Sequence, residues 1–181
     1  MRISILTVVM LAAPTIASAQ VVRERESLSI GVDIGAAFTT SQGADSATGP
    51  ASLVRAGYEF CNGLTPELAI SYARWSRRIL GSDSDITEHA ISVLPGLRWS
   101  ILASAVRPWI SLHIGYGLIA AGDETQTGMD VNTGAGVDWF FAPRIGAAIH
   151  VTWNKVIIDQ TFDLQTGEAW IDTGAGLAFL W

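Results

Sequence analysis

Lysine occurs once in the 181 residues, as Lys155, and cysteine once, as Cys61. A lone cysteine cannot close an internal disulfide, so Cys61 reads as a buried or turn-adjacent thiol with nothing to mark it as a nucleophile. Charged residues make up only 15% of the chain, less than a water-facing surface normally carries. The 11 basic residues are outnumbered by 17 acidic ones, for a net charge of −6. Nucleic acid demands clustered bases, so this balance excludes it as a partner. Beyond residue 19 there is no apolar run of about eighteen residues, which excludes a membrane-spanning helix. Yet 49% of the residues are hydrophobic. A chain this apolar that lacks a spanning helix has one membrane-spanning solution left. It is a closed β-barrel, in which every backbone N–H and C=O finds a partner away from water.

The first nineteen residues have the pattern of an export signal. Arg2 gives a positive start, Ile3 to Ala13 form a short apolar run, and Ala17-Ser18-Ala19 offers a small-x-small cleavage site. The expected division is residues 1–19 as a signal peptide, with Gln20 the new N-terminus, and 20–181 as one barrel domain.

Within 20–181, apolar residues recur at every second position in eight segments, the period of a pleated strand. The segments fall at about 27–39, 51–61, 67–78, 88–100, 108–121, 130–141, 144–155 and 169–181. In the fifth, Ile110, Leu112, Ile114, Tyr116 and Leu118 alternate with Ser111, His113, Gly115 and Gly117. In the sixth, Val131, Ala135, Val137, Trp139 and Phe141 alternate with Asn132, Gly134, Gly136 and Asp138. The third is the least regular: Arg74 lands on its apolar face and Trp75 on its polar one, so a register change or strand end is expected there. Expected short connections lie at Asn62-Gly63, Leu102 to Arg107 and Ala142-Pro143; longer ones lie at 40–50, 80–88, 122–130 and 156–168. The fold class that follows is all-β, a closed antiparallel up-and-down transmembrane barrel of about eight strands.

A soluble barrel has the same alternation but turns its aliphatic side inward. Here the other side is dominated by Gly, Ala and Ser, which suits a crowded lumen better than a wet exterior. Aromatics gather at segment ends: Tyr58, Phe60, Trp99, Trp139, Phe141, Phe179 and Trp181 at the short turns, and Phe38, Tyr72 and Trp153 at the long loops. Two such belts are expected where lipid meets water.

The chain closes on Gly174-Ala175-Gly176-Leu177-Ala178-Phe179-Leu180-Trp181. Gly176, Phe179 and Trp181 occupy the glycine, aromatic and final-aromatic places of a C-terminal insertion signal, with tryptophan where phenylalanine is commoner. With the export signal and the eight segments, the chain resembles the small bacterial outer-membrane barrels of the OmpX and OmpA-transmembrane type. That resemblance implies an outer-membrane location, passage with periplasmic chaperones and insertion by the barrel-assembly machinery through the C-terminus.

Asp33, Arg55, Glu59, Glu67, Arg98, Asp138 and Asp172 are expected to face the lumen, with His113 and His150 alongside. Unpaired buried charge is costly, so these groups should form an ion-pair and hydrogen-bond plug, and eight strands leave no room for a wide pore. The long connections carry Asp45, Asp83, Asp85, Glu88, Asp123, Glu124, Asp130, Asp159, Asp163 and Glu168, with Arg74, Arg77, Arg78 and Lys155 just below at the rim. The rim bases could contact lipopolysaccharide phosphates while the loop carboxylates recruit Ca²⁺ or Mg²⁺. Some barrels of this size modify lipid A; here His150, Thr152 and Glu168 are the nearest approach to a triad. Parity turns His150 and Thr152 inward, away from a lipid substrate, and threonine stands where a serine is needed. No spacing marks a metal site or a cofactor. The reading is a monomeric, non-enzymatic barrel with an envelope-structural or surface-interaction role. Its loops, about nine to thirteen residues long, are too short for an elaborate receptor surface. The alternatives are a narrow OmpW-like conduit for small solutes and, third, a lipid-A-modifying enzyme.

Overall fold

In the computed structural model, residues 26–39, 47–78, 85–101, 105–158 and 168–181 are described; residues 1–19 lie outside them. Eight strands run in chain order: β1 Ser27–Thr39, β2 Thr48–Glu59, β3 Leu64–Arg78, β4 Asp85–Ser100, β5 Val106–Ala121, β6 Glu124–Ala142, β7 Ile145–Ile157 and β8 Glu168–Leu180. Each pairs antiparallel with its neighbours and β8 returns to β1, closing the barrel. No sheet edge is left along the wall.

The two-residue period decides what each face meets. Leu28, Val32, Ile34, Val54, Ile70, Val93, Ile114, Ile149 and Leu177 all lie on the outside and are exposed, Ile34 to 73%. An exterior of this kind is far larger than the apolar patches that water-soluble monomers tolerate. The aromatic girdle at the short-turn end is present in the exposed Tyr58, Phe60, Trp99, Trp139, Phe141 and Trp181. The Tyr58 hydroxyl donates to a Glu26 carboxylate oxygen 2.7 Å away.

The interior is layered. At the loop end an apolar cap joins Trp75 and Trp170, with ring centroids 5.5 Å apart, to Ile119, Val156, Ala37, Ala73 and Ala90. Charged and polar side chains fill the middle, beside an apolar wall of Leu53, Ala69 and Leu94. Phe140, Ala178 and Leu180 close the turn end.

Four expectations need correction. β3 keeps one register against β4 from Leu64 to Arg78, so Arg74 and Trp75 mark no register change. Trp75 points inward because it is part of the cap, its indole N–H donating to Glu88. The register shift in this barrel falls between β6 and β7, at Phe140/Ala142. Second, the connection expected at 122–130 is only Gly122-Asp123: β5 and β6 pair as far as Ala121 and Glu124, and Gly122 turns the chain at φ 59°. The run Glu124-Thr125-Gln126-Thr127 has loop-like polarity because both its faces are exposed. Third, Arg107 belongs to β5, not to a turn. Fourth, Asp130 is fully buried beside Ser92 beneath the cap and does not join a loop crown.

Replacing Val93, mid-strand on the exterior, by Arg should cost about 2–4 kcal/mol in a bilayer, while Thr87→Arg near the loop end costs under about 1 kcal/mol. Denaturant unfolding in lipid vesicles measures both; equal costs would contradict an exterior facing hydrocarbon.

Candidate functional site

The lumen gathers the charged residues singled out from the sequence. Asp33, Arg55, Glu59, Glu67, Arg98, Asp138 and Asp172 are all buried, together with His113 and His150. Each sits on the inward parity of its strand, so one alternating pattern places them on one side of the wall.

Arg98 is the hub. Its Nε donates to Glu67 Oε2 at 2.9 Å, its Nη1 to Asp138 Oδ2 at 3.0 Å and its Nη2 to Ser29 Oγ at 3.2 Å. The other oxygen of Asp138 accepts from Trp109 Nε1 at 3.0 Å. The Arg55 guanidinium lies 4.7 Å from the Trp109 ring centroid and donates to Asp33 at 3.2 Å. From Asp33 the contacts pass to His150, at 3.8 Å, and on to Asp172, 3.3 Å from the other ring nitrogen. Asp172 accepts from the Thr152 hydroxyl and, at 2.7 Å, from Asn154 Nδ2. Asn132 Nδ2 donates to Asn154 Oδ1 at 2.6 Å, and Asn132 Oδ1 lies 3.1 Å from His113 Nδ1. His113 Nε2 reaches Glu67 Oε1 at 3.0 Å, which returns the path to Arg98. The result is a closed circuit of side chains around the lumen. A separate pair lies at the turn end, where Arg107 donates to Glu59 at 3.1 Å and stacks on Phe140.

Such burial costs desolvation, which excellent geometry and added hydrogen bonds offset. Every arginine in the circuit has a carboxylate partner within 3.2 Å. Glycines opposite the rings make the arrangement sterically possible. A Cβ at Gly136 would come within 2.4 Å of the Trp109 ring, one at Gly96 within 2.3 Å of His113 and one at Gly174 within 2.6 Å of His150. A void bordered by Arg55, Glu59, Arg98 and Asp138 has room for about one water.

Strand alternation already puts Ser29 and Asn154 on the inward face, without marking them as members of the network, whereas Arg107 and Trp109 were missed. Counting back by twos from the inward Ser111 would have found Trp109, which lies inside the fifth segment, and then Arg107, which a turn assigned through it hid. Parity also accounts for the triad candidates: His150 and Thr152 are inside, both committed to Asp172, and Glu168 is half-buried at the start of β8. Cys61 is exposed in the turn between β2 and β3. Among the described residues no group of three or more His, Cys, Asp or Glu could hold a metal ion.

Outside, Arg74 is exposed at the loop end of β3 and Lys155 half-buried at the loop end of β7. Backbone register puts Arg77 opposite Ile86 and Arg78 opposite Asp85 at the same rim. Of the loop carboxylates, Asp45, Asp83, Asp159 and Asp163 lie outside the described residues. Asp85, Asp123 and Glu124 are exposed, and Glu88 is tied to Trp75. At the C-terminus, Gly176 pairs with Asp33, and a Cβ there would meet the Val32 carbonyl oxygen at 1.9 Å. Phe179 pairs with Ile30, and Trp181 exchanges backbone hydrogen bonds with Leu28, 2.9 and 3.2 Å long. These three residues therefore lie along the β8–β1 seam.

No family model matches the chain, and no curated protein is similar to it. Solved structures are. Neisserial surface protein A superposes with a TM-score of 0.62 at 19% identity, over 86% of this chain and 99% of that one. A major outer membrane protein of Thermus thermophilus gives 0.56 at 12% identity, over 86% and 99%. The outer membrane protein OprG of Pseudomonas aeruginosa gives 0.53 at 13% identity, over 88% and 98%.

Removing the hub by Arg98→Met leaves Glu67 and Asp138 facing each other without their cation and should cost about 3–5 kcal/mol. Adding Glu67→Gln and Asp138→Asn should recover part of that loss. The denaturant midpoint reports it, and an unmoved midpoint in Arg98→Met would remove the hub role.

Proposed function

We propose, for a chain with the fold of the small eight-stranded outer-membrane barrels, a non-enzymatic outer-membrane protein with a plugged lumen. Its role is in envelope structure or surface interaction. The observation that carries this reading is the filled lumen: the side-chain circuit through Arg55 and Arg98, with the separate Arg107–Glu59 pair at the turn end, occupies the space that a solute would need. An interior this full suits an eight-stranded wall, whose diameter leaves space for side chains and little else. The exposed aliphatic exterior and the aromatic girdle supply the membrane part of the reading.

The same reading takes residues 1–19 as the export signal and the β8 residues Gly176, Phe179 and Trp181 as the contact for the barrel-assembly machinery. The partners are outer-membrane lipids and lipopolysaccharide, met at the rim by Arg74, Arg77, Arg78 and Lys155, and the barrel is monomeric. A closed wall leaves no strand edge along which two copies would pair. Chemistry on lipid A has no support from residue placement, since His150 and Thr152 are enclosed.

Single-channel recording in planar bilayers is the test. The full-length mature barrel should pass no resolvable step-like current. Regular steps from the wild-type protein would replace this reading with that of a narrow conduit.

A further inference from the structure

On six of the eight strands the outward parity near the loop end carries, among the described residues, apolar, small or neutral groups or the half-buried Lys155. The exception extends across β3 and its neighbour β4. Reading up the outside of this strand pair, Ile70 faces Val93, Tyr72 faces Ile91, Arg74 faces His89 and Ser76 faces Thr87. The exterior thus changes from aliphatic to basic and hydroxylic between two successive pairs. In a bilayer that change marks the level where acyl chains give way to headgroups.

Arg74 is exposed, and no ion pair engages it among the described residues. His89 beside it is held in place: its Nδ1 lies 2.9 Å from the Tyr72 hydroxyl, and the two rings are 6.1 Å apart. In the tautomer in which the phenol donates to Nδ1, Nε2 is the ring's N–H donor, and it points to no partner in that pair. One pair further out, the Ser76 and Thr87 hydroxyls are hydrogen-bonded at 3.2 Å. The flanking outward positions are small: Ala120 pairs with His89 from β5, and Pro50 lies on the β2 side. They leave Arg74 and His89 side by side as the large polar pair at this level of the face. The nearest carboxylate on this strand pair that turns inward, Glu88, is occupied by Trp75. Asp85 stands further out, opposite Arg78 in the backbone register.

We infer that Arg74, His89 and the positioning residue Tyr72 form a binding site on the β3–β4 face for the phosphate of an outer-leaflet lipid headgroup. Arginine suits this ligand because its planar fork gives paired, charge-assisted hydrogen bonds to phosphate oxygens. The histidine adds a directed donor, and the acyl chains of the same lipid lie against Ile70, Ile91 and Val93 below. The inference rests on the membrane reading above and narrows its diffuse basic rim to one built site.

The test uses the full barrel reconstituted in phosphatidylcholine vesicles, with association of spin-labelled phosphatidic acid measured relative to spin-labelled phosphatidylcholine. Wild type should select phosphatidic acid, and unlabelled diphosphoryl lipid A should compete for it. Arg74→Gln and His89→Gln should each weaken selection about fivefold to tenfold, whereas Arg144→Gln, in the exposed turn between β6 and β7 at the opposite end of the barrel, stays within about twofold of wild type. Tyr72→Phe should weaken it less, and have no further effect in the His89→Gln background. Equal weakening by Arg144→Gln would replace the site with a diffuse charge attraction, and an unaffected Arg74→Gln would remove the site. Displacement by millimolar inorganic phosphate would show a free-anion site and overturn the lipid assignment. Heat-modifiable gel mobility confirms that each variant remains an inserted barrel, so failure of the site is separable from failure of the membrane reading.

Discussion

The seam between β8 and β1 is the contact on which everything else depends. Until Trp181 and Leu28 exchange their backbone hydrogen bonds, both strands present unpaired N–H and C=O groups, which hydrocarbon cannot satisfy. Closure removes that cost at once and defines an inside. Gly176 stands where the two backbones approach too closely for a side chain, opposite Asp33. The C-terminal strand, by pairing with β1, therefore decides whether a lumen exists.

Once the wall is closed, the interior imposes a packing problem that resembles a protein core made of ions. Space is settled by pairing large with absent: Trp109 against Gly136, His113 against Gly96, His150 against Gly174. Charge is settled by sharing, since Arg98 bridges Glu67 on β3 and Asp138 on β6, elements that touch only through the lumen. Cross-lumen pairs of this kind tie opposite walls together and fill the path that a solute would follow. The tryptophan cap above and Phe140 below keep the belt away from water at both ends.

Much of this is legible in the chain itself, because strand periodicity has only one degree of freedom. Once Ile110, Leu112 and Ile114 are set outside, Ser111 and His113 must be inside, and the same logic places Arg55, Arg98 and Asp138. Element ends are where the reading weakens. Glu124 to Thr127 are polar on both faces because the hairpin is exposed on both, so they imitate a loop. Arg107 and Trp75 have the opposite character, large side chains near strand ends that fill the lumen instead of reaching solvent. The pairing partners are not legible at all: that Arg98 meets Ser29, 69 residues away in sequence, depends on the barrel's closure and stagger. His89 escaped notice because nothing in the alternation marks a polar residue as lipid-level; its meaning comes from Arg74 and Tyr72 across the strand pair.

The central proposition is that the aliphatic side of the wall meets acyl chains while the glycine-rich side encloses the lumen. Site-directed spin labelling in bilayers examines it directly, with single cysteines at Ile114, Val137 and Leu177 and, for the lumen, at Ser111 and Gly134, all in a Cys61→Ser background. The outward three should show high collision rates with oxygen dissolved in the hydrocarbon and low rates with a water-soluble nickel chelate, and the inward two should be shielded from oxygen. The reverse pattern, with the aliphatic positions shielded and the inward ones in contact with lipid, would contradict the account.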